Sequence, residues 1–179
     1  MKRIFLPLTK DVIKKLRVGD EVELWGTLYT ARDRAHQRLF EAIKRKGKLP
    51  IPLRDQTIYY TGPTPAPPGR VIGSCGPTTS SRMDPFTPAL LKYGVKGMIG
   101  KGARSPEVAE AIKKYGCLYF LAVGGAAALL AQKVYKAKLC AYKDLGPGAI
   151  YRIQVRGFPV IVAIDHRGNN IFERRGSEW

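Results

Sequence analysis

The sequence predicts an α/β fold with a parallel-strand centre flanked by additional β segments from both ends of the chain. Three observations predict it. From residue 70 onward, short apolar runs alternate with helical patterns, a rhythm that implies parallel strand pairing. Residues 21–29 (EVELWGTLY) alternate as a strand does. Residues 134–172 are strand-like throughout, with one turn predicted at 166–170.

Length and composition favour one globular domain spanning residues 1–179. Apolar residues make up 45% of the chain and charged residues 25%, a balance that excludes a disordered protein. No run approaches the ~18 continuous apolar residues of a membrane span. The N-terminal apolar run 4–8 stops at Lys10, too early for the core of a secretion signal, so we expect a cytoplasmic protein.

The first third of the chain predicts two strands and a long helix. We expect a strand at 4–8, a helical turn at 11–16 and the strand 21–29. Thr30 is the predicted N-cap of a helix that runs to about Lys46, because its apolar residues fall at helical spacing. A short strand at 57–60 follows, and the four prolines of the next segment (TGPTPAPPG) indicate a turn-rich connector.

The alternating region continues with three strands, predicted at residues 70–74, 95–99 and 116–123. Asp84 followed by Pro85 predicts the start of a helix that ends near residue 93. Ser105 followed by Pro106 predicts a second helix start by the same chemistry. An alanine-rich helix is expected after residue 125.

The cysteines and histidines show no metal-site spacing. Cys75, Cys117 and Cys140 are far apart, no Cys-x-x-Cys occurs, and the two histidines are isolated. This pattern predicts reduced thiols in a reducing compartment and no metal bound by this chain alone. Cys117 and Cys140 lie in apolar stretches and are predicted to be core residues.

The charge balance is strongly basic, since 31 Lys and Arg against 14 Asp and Glu give +17. Such a balance invites a nucleic-acid interpretation. The basic residues are nevertheless spread along the chain, with the densest run at 44–48 (KRKGK) and no aromatic-basic ribonucleoprotein motif. A solvated basic surface, a face for an acidic partner subunit and a collector of anionic substrate are the alternatives.

Several predicted loops carry groups suited to an anion. Residues 73–84 contain a run of hydroxyl side chains followed by Arg82, which can clamp a carboxylate through two hydrogen bonds. Lys101 stands between two glycines, which allow a ligand to approach the backbone. The alternative for each is an ordinary turn with a solvated cation. The Gly124–Gly125 loop lacks the spacing of a dinucleotide-binding fingerprint, and Lys101 lacks that of a Walker loop.

Arg32 and His36 are one helical turn apart, so they can share a face near a helix start, although a solvated basic face is the alternative. Together these segments predict a site for a small polycarboxylate. They contain no obvious nucleophile–base pair and no cluster of metal ligands, so the chain is not a self-sufficient catalyst.

Residues 76–84 (GPTTSSRMD) resemble the signature of the iron–sulfur class I fumarases and the related L(+)-tartrate dehydratases. Further matches, in the same order and spacing, occur at 31–36 (ARDRAH), 60–63 (YTGP), 97–102 (GMIGKG), 123–127 (VGGAA) and 158–162 (FPVIV). The resemblance covers nearly the whole chain. It is to the C-terminal domain of those enzymes, or to the separate beta subunit of those split into two chains.

The resemblance implies a swivelling β/β/α domain and a hetero-oligomer in which a partner alpha subunit holds a [4Fe–4S] cluster through three cysteines. It implies reversible hydration of fumarate to L-malate or, alternatively, dehydration of L-tartrate to oxaloacetate. The partners would be that subunit and a dicarboxylate, with no nucleic acid and no membrane. The other classes that we weigh are a nucleic-acid-binding module and a standalone α/β regulatory domain that binds a small anion.

The resemblance also implies roles for individual residues. Thr78 would be the base that removes a proton from the carbon next to a carboxylate, and Arg82 would stabilise its alkoxide. The substrate-binding residues would be Arg32, Thr79 and Lys101. His36, Gly124 and Gly125 would support the site. Gly148 departs from the family pattern, which has glutamate at this position.

Overall fold

The computed structural model describes residues 1–122 and 127–173, in which seven strands form one mixed sheet. The strands are β1 (Lys2–Phe5), β2 (Glu21–Thr30), β3 (Thr57–Tyr59), β4 (Gly97–Gly100), β5 (Leu118–Ala122), β6 (Val134–Ala141) and β7 (Ile150–Ile164). The α-helices are α1 (Lys10–Lys15), α2 (Asp33–Lys44), α3 (Thr87–Tyr93), α4 (Pro106–Tyr115) and α5 (Ala127–Gln132). The predicted α/β class is confirmed.

Strand pairing closes five of these strands into a ring. β2, β3, β4 and β5 are parallel neighbours in that order. The 15-residue strand β7 pairs antiparallel with β5 and also with β2, which completes the circuit. β1 adds to β2 in parallel and β6 adds to β7 in antiparallel orientation. The carboxyl ends of four parallel strands therefore lie on one rim of the ring.

The parallel strands are buried on both faces, because helices cover the outside of the ring. Tyr59 of β3 and Phe120 of β5 pack into one core cluster with side chains of β2 and β7. Their neighbours Ile58 and Tyr119 pack into a second cluster that includes Leu39 of α2 and residues of α3 and α4. Burial on both faces is typical of parallel strands and explains their continuous apolar runs.

The predicted strand at 70–74 is wrong, because this segment is irregular. Its backbone makes two hydrogen bonds to the proline-rich connector, from the Thr64 N–H to the Ser74 carbonyl (3.0 Å) and from the Arg70 N–H to the Pro67 carbonyl (3.0 Å). Val71 is exposed, so the two apolar residues of this segment, Val71 and Ile72, do not enter the sheet as a strand. A short apolar run without a neighbouring strand to pair with forms no ladder.

Two predicted helix caps are also wrong. Thr30 ends β2, where its hydroxyl accepts a hydrogen bond from the Tyr151 N–H (3.1 Å), and α2 begins at Asp33. Asp84 accepts from the Ser105 N–H (2.8 Å) instead of capping its own helix, which begins at Thr87. Both side chains satisfy backbone donors that are distant in sequence, so local spacing misassigned them.

The predicted cap at Ser105 is confirmed, since its hydroxyl accepts from the Val108 N–H (3.3 Å) at the start of α4. Cys117 is buried as predicted, whereas Cys140 is only half-buried because β6 lies at the edge of the sheet. Cys75 is buried in the core. None of the helices within the described ranges combines the length and apolar character that crossing a bilayer requires.

Candidate functional site

The residues predicted to bind an anion lie along the rim at the carboxyl ends of the parallel strands. Thr78 and Ser80 are inserted between the ends of β3 and β4 by three backbone hydrogen bonds. The Thr78 N–H donates to the Tyr60 carbonyl (2.7 Å), the Lys101 N–H to the Thr78 carbonyl (3.3 Å) and the Ser80 N–H to the Lys101 carbonyl (2.9 Å). Thr79 and Lys101 thereby become paired neighbours, as in a parallel ladder.

Beside this ladder is a cavity of about 200 Å³, lined by Arg32, Asp33, Arg34, Arg82, Leu145 and Gly148. The Arg82 Nε lies 3.7 Å from Asp33 Oδ2, and the Arg82 side chain is 60% exposed. Three arginines against one carboxylate leave a net positive charge in this cavity. It therefore suits a small anion, and guanidinium groups match the plane of a carboxylate.

Arg32 stands between the end of β2 and the first residue of α2. It is half-buried, and its guanidinium lies between the backbone at Gly62 and the backbone at Gly148. No described residue accepts a hydrogen bond from this guanidinium. Its donors are therefore available to a ligand in the adjoining cavity.

His36 lies under Arg32 and is buried. Its Nδ1 is 3.0 Å from the Arg32 carbonyl, and its ring packs edge-on against Tyr60 at 5.2 Å. Burial lowers the pKa of His36 to about 4, so the ring is neutral near pH 7 and Nδ1–H donates to the Arg32 carbonyl. His36 therefore contacts the backbone of Arg32 and stays away from the cavity lining.

Arg104, to which no motif in the sequence points, has a buried side chain beneath the rim. Arg104 Nε is 2.7 Å from Asp84 Oδ1, and the guanidinium also donates to Thr87 Oγ1 (3.0 Å) and Tyr60 OH (3.2 Å). The ring centroids of Tyr60 and Tyr119 lie 5.2 and 4.8 Å from its Cζ. An arginine just before a helix cap resembles a solvated turn residue, so its sequence position gave little signal.

The network around Arg104 extends to both loops of the site. Tyr119 OH is 2.7 Å from Ser80 Oγ and 2.7 Å from the Gly102 carbonyl. Asp84 follows Arg82 by two residues and is held by Arg104. The loop that carries Thr78 and the loop that carries Lys101 are consequently tied to one buried group.

The structure thus places Arg32, Thr78, Thr79, Arg82 and Lys101 on one rim. The side chains of Thr79, Arg82 and Lys101 are exposed, and those of Arg32 and Thr78 are half-buried. The rim is therefore accessible to a ligand or another chain. The predicted supporting residues Gly124 and Gly125 lie outside the described residues. Asp33, which sequence analysis did not single out, joins the set through its contact with Arg82.

Residues 1–122 and 127–173 contain no group of three His, Cys, Asp or Glu side chains placed to hold a metal ion. Burial raises the pKa of Cys75 and of Cys117 to about 11, so both thiols stay protonated near neutral pH. This part of the chain therefore does not fit an iron–sulfur cluster. What it offers is three arginines around a cavity, with Thr78 and Lys101 on the same rim.

The chain matches known proteins over nearly its whole length. The family model described as fumarase C-terminus matches residues 1–175. The chain is 40% identical over 171 residues to fumarate hydratase 1, mitochondrial, of Leishmania major, covering 94% of this chain and 31% of that protein. It is 41% identical over 179 residues to a putative L(+)-tartrate dehydratase subunit beta of Methanocaldococcus jannaschii, covering 97% of this chain and 92% of that protein.

A third relative is the anaerobic class I fumarate hydratase of Escherichia coli, 39% identical over 170 residues. The match covers 92% of this chain and 31% of that enzyme. The chain thus spans about a third of the length of these fumarate hydratases, whereas it spans nearly all of the tartrate dehydratase beta chain.

Arg104→Met should lower the free energy of unfolding by about 3–5 kcal/mol, because it leaves the Asp84 carboxylate without its buried partner. Urea denaturation measures the change. Arg38→Met is the matched control, since it breaks an exposed ion pair with Asp144 and should leave the urea midpoint close to that of the wild type. Equal losses in the two variants would show that burial of the Arg104 pair is unimportant.

His36 makes the stability depend on pH. Its pKa is about 4 when folded and about 6.5 when unfolded, so the unfolded chain binds the extra proton between these values. The free energy of unfolding contributed by His36 is therefore complete above about pH 6.5 and is lost as the pH falls toward 4. The free energy of unfolding should differ less between pH 4.5 and pH 7.0 in His36→Asn than in the wild type, and urea denaturation at the two pH values measures this. An unchanged difference between the two pH values in His36→Asn would contradict the assignment.

Proposed function

Because this chain belongs to the fumarase C-terminus family, we propose that it is the beta subunit of a two-subunit hydro-lyase that interconverts fumarate and L-malate. Two facts support the subunit role. The chain covers 92% of a relative named as a subunit beta, and only 31% of longer fumarate hydratases. In this proposal residues 1–179 are one domain of the swivelling β/β/α type. The closed ring of strands with helices outside it supports that architecture.

The observation that carries the proposal is the convergence of four side chains on one rim. Arg32, Thr78, Arg82 and Lys101 come from three separate parts of the sequence, and backbone hydrogen bonds fix the middle segment between two strand ends. A basic surface without a site would not need this arrangement. A diacid substrate would find cations for both carboxylates here, with a hydroxyl group between them.

Arg32 and Lys101 bind the substrate carboxylates. The guanidinium supplies a planar pair of donors, and the ammonium supplies a compact charge on the exposed side. Thr79 adds a hydroxyl next to Lys101, its neighbour in the ladder. Because these groups are fixed by the strand ends, they orient the carbon chain of the diacid relative to Thr78.

Thr78 moves the proton. A threonine hydroxyl is a weak base, so the anionic form needs a nearby cation, and Arg82 supplies it four residues later in the chain. In the dehydration of L-malate, Thr78 Oγ takes a proton from the carbon next to a carboxylate while the hydroxyl leaves the adjacent carbon and the double bond forms. In hydration, Thr78 returns that proton. Arg82 is held near Asp33, which limits the positions it can adopt.

The partner supplies the other half of the site. The rim is exposed at Thr79, Arg82 and Lys101, and the described residues hold no ligand set for an iron–sulfur cluster. We therefore place the [4Fe–4S] cluster in an alpha subunit that faces this rim. The free thiols of Cys75, Cys117 and Cys140 fit a reducing compartment such as the cytoplasm.

L(+)-tartrate dehydration is the second candidate. The relative that this chain covers almost completely is named a putative L(+)-tartrate dehydratase subunit beta. Tartrate carries one hydroxyl more than malate. Gly148 lines the cavity beside Arg32, where a larger residue would narrow it.

Co-expression with the alpha subunit tests the proposal as a whole. The assembled, anaerobically purified complex should hydrate fumarate, and the beta chain alone should not. Fumarate hydration and L-tartrate dehydration are measured on the same preparation, and the ratio of the two kcat/KM values assigns the substrate. A complex that contains the cluster and is inactive on both diacids would refute the function.

Thr78→Ala in that complex should lower kcat by about 10²–10⁴-fold, the range for loss of a general base, with a smaller change in KM. Thr78→Ser should retain part of the turnover, because it keeps a hydroxyl at this position. Arg70→Ala, at an exposed position just after the proline-rich connector, is the control and should leave steady-state kinetics unchanged. Wild-type turnover in Thr78→Ala would remove this residue from the proton-transfer role.

A further inference from the structure

We propose that Gly62 is a positioning residue for Arg32, and that its missing side chain determines where the guanidinium lies. This inference rests on the role proposed above for Arg32. Gly62 belongs to the segment that follows β3, whereas Arg32 follows β2. The two are therefore brought together only by the parallel pairing of these strands.

The contact is closer than any side chain at position 62 would permit. A Cβ built on Gly62 would lie 2.6 Å from Arg32 Nη1, 2.7 Å from Arg32 Nε and nearer still to Arg32 Cζ. Real Cβ atoms do not approach other atoms this closely. The backbone of Gly62 is not in the left-handed region, so alanine would be tolerated there apart from this contact.

The group that must move is the guanidinium, because it is the free end of a flexible side chain. The backbone on the other side of the contact is held firmly. Thr61 Oγ1 donates to the Gly76 carbonyl (2.7 Å), and Pro63 is a buried residue with a fixed φ. A methyl group at position 62 would therefore displace Arg32 and leave the fold intact.

On its other side the Arg32 guanidinium faces Gly148, and this contact is looser. We call the space between the two glycines the slot. A Cβ built on Gly148 would lie 3.6 Å from Arg32 Nε and 3.9 Å from Arg32 Nη2, which is ordinary van der Waals contact. Gly148 is buried and, like Gly62, lies outside the left-handed region. The two glycines thus face the same guanidinium, and only one of them is too close to accept a methyl group.

The slot holds Arg32 before substrate arrives. Gly62 confines the Arg32 guanidinium, and the Arg32 backbone carbonyl accepts a hydrogen bond from His36 Nδ1–H. An arginine held in this way loses less side-chain entropy when it binds a carboxylate. Displacement of the Arg32 guanidinium should therefore weaken substrate binding more than it slows turnover.

The test compares Gly62→Ala, Gly47→Ala and Arg32→Lys in the assembled enzyme. Gly62→Ala should raise KM for the diacid about tenfold or more with less than a threefold change in kcat, as expected when ground-state binding is lost. Gly47→Ala is the matched control, at an exposed glycine after α2 where a methyl group meets only ordinary contacts, and it should change KM less than threefold. All three melting temperatures should stay near that of the wild type, and a crystal structure of the Gly62→Ala complex should show the Arg32 guanidinium displaced.

The double variant Gly62→Ala/Arg32→Lys separates positioning from a general structural effect. Lysine has no planar group to meet the new methyl, so Gly62→Ala should add nothing to the loss already caused by Arg32→Lys. A further tenfold loss in this background, or wild-type kinetics in Gly62→Ala alone, would overturn the inference. Wild-type kinetics in Arg32→Lys would instead overturn the proposed role of Arg32, and the inference with it.

Discussion

Backbone pairing at the end of two parallel strands is the constraint on which the site depends. The segment from Thr78 to Ser80 extends the ladder between β3 and β4, where it bonds to the Tyr60 and Lys101 backbones. This pairing fixes the direction in which successive side chains of the segment point. The hydroxyl and cationic groups of the site thereby acquire defined positions, although the segment belongs to no strand of its own. Such precision in a loop requires that the strands beneath it be rigid, and burial on both faces provides that rigidity.

The buried Arg104–Asp84 pair secures the same region from below. Removing two charges from water is costly, and the pair repays this cost only because hydroxyl groups and aromatic rings surround the guanidinium. A pair of apolar residues could fill the same volume. It could not, however, bond simultaneously to the start of α4 through Asp84 and to Tyr60 through Arg104. The charged pair therefore fixes the positions of two loops relative to each other, which apolar packing alone would not do.

Local signals predicted the elements whose determinants are local. The Ser105–Pro106 cap and the alternation of β2 depend on neighbouring residues, and both are found in the structure. Thr30 and Asp84 were misassigned because their oxygens bind N–H groups more than 20 residues away. The ordered motifs singled out Arg32, Thr78, Arg82 and Lys101, which lie on one rim in the structure. Arg104 was not, because its burial depends on the packing of Tyr60 and Tyr119, which no spacing in the sequence encodes.

The closed circuit of strands has a mechanical consequence for the proposed site. β7 bonds to β5 through residues 160–164 and to β2 through residues 152–161, so hydrogen-bonded pairs join each strand of the ring to the next. An open sheet can flex to admit a ligand, whereas a closed one changes its diameter only by breaking hydrogen bonds. The backbone positions of Arg32 and Lys101, just after the ends of β2 and β4, are thus fixed relative to each other by the paired strands. In the proposed two-subunit enzyme, opening and closing around a diacid would accordingly come from displacement of the facing subunit as a body.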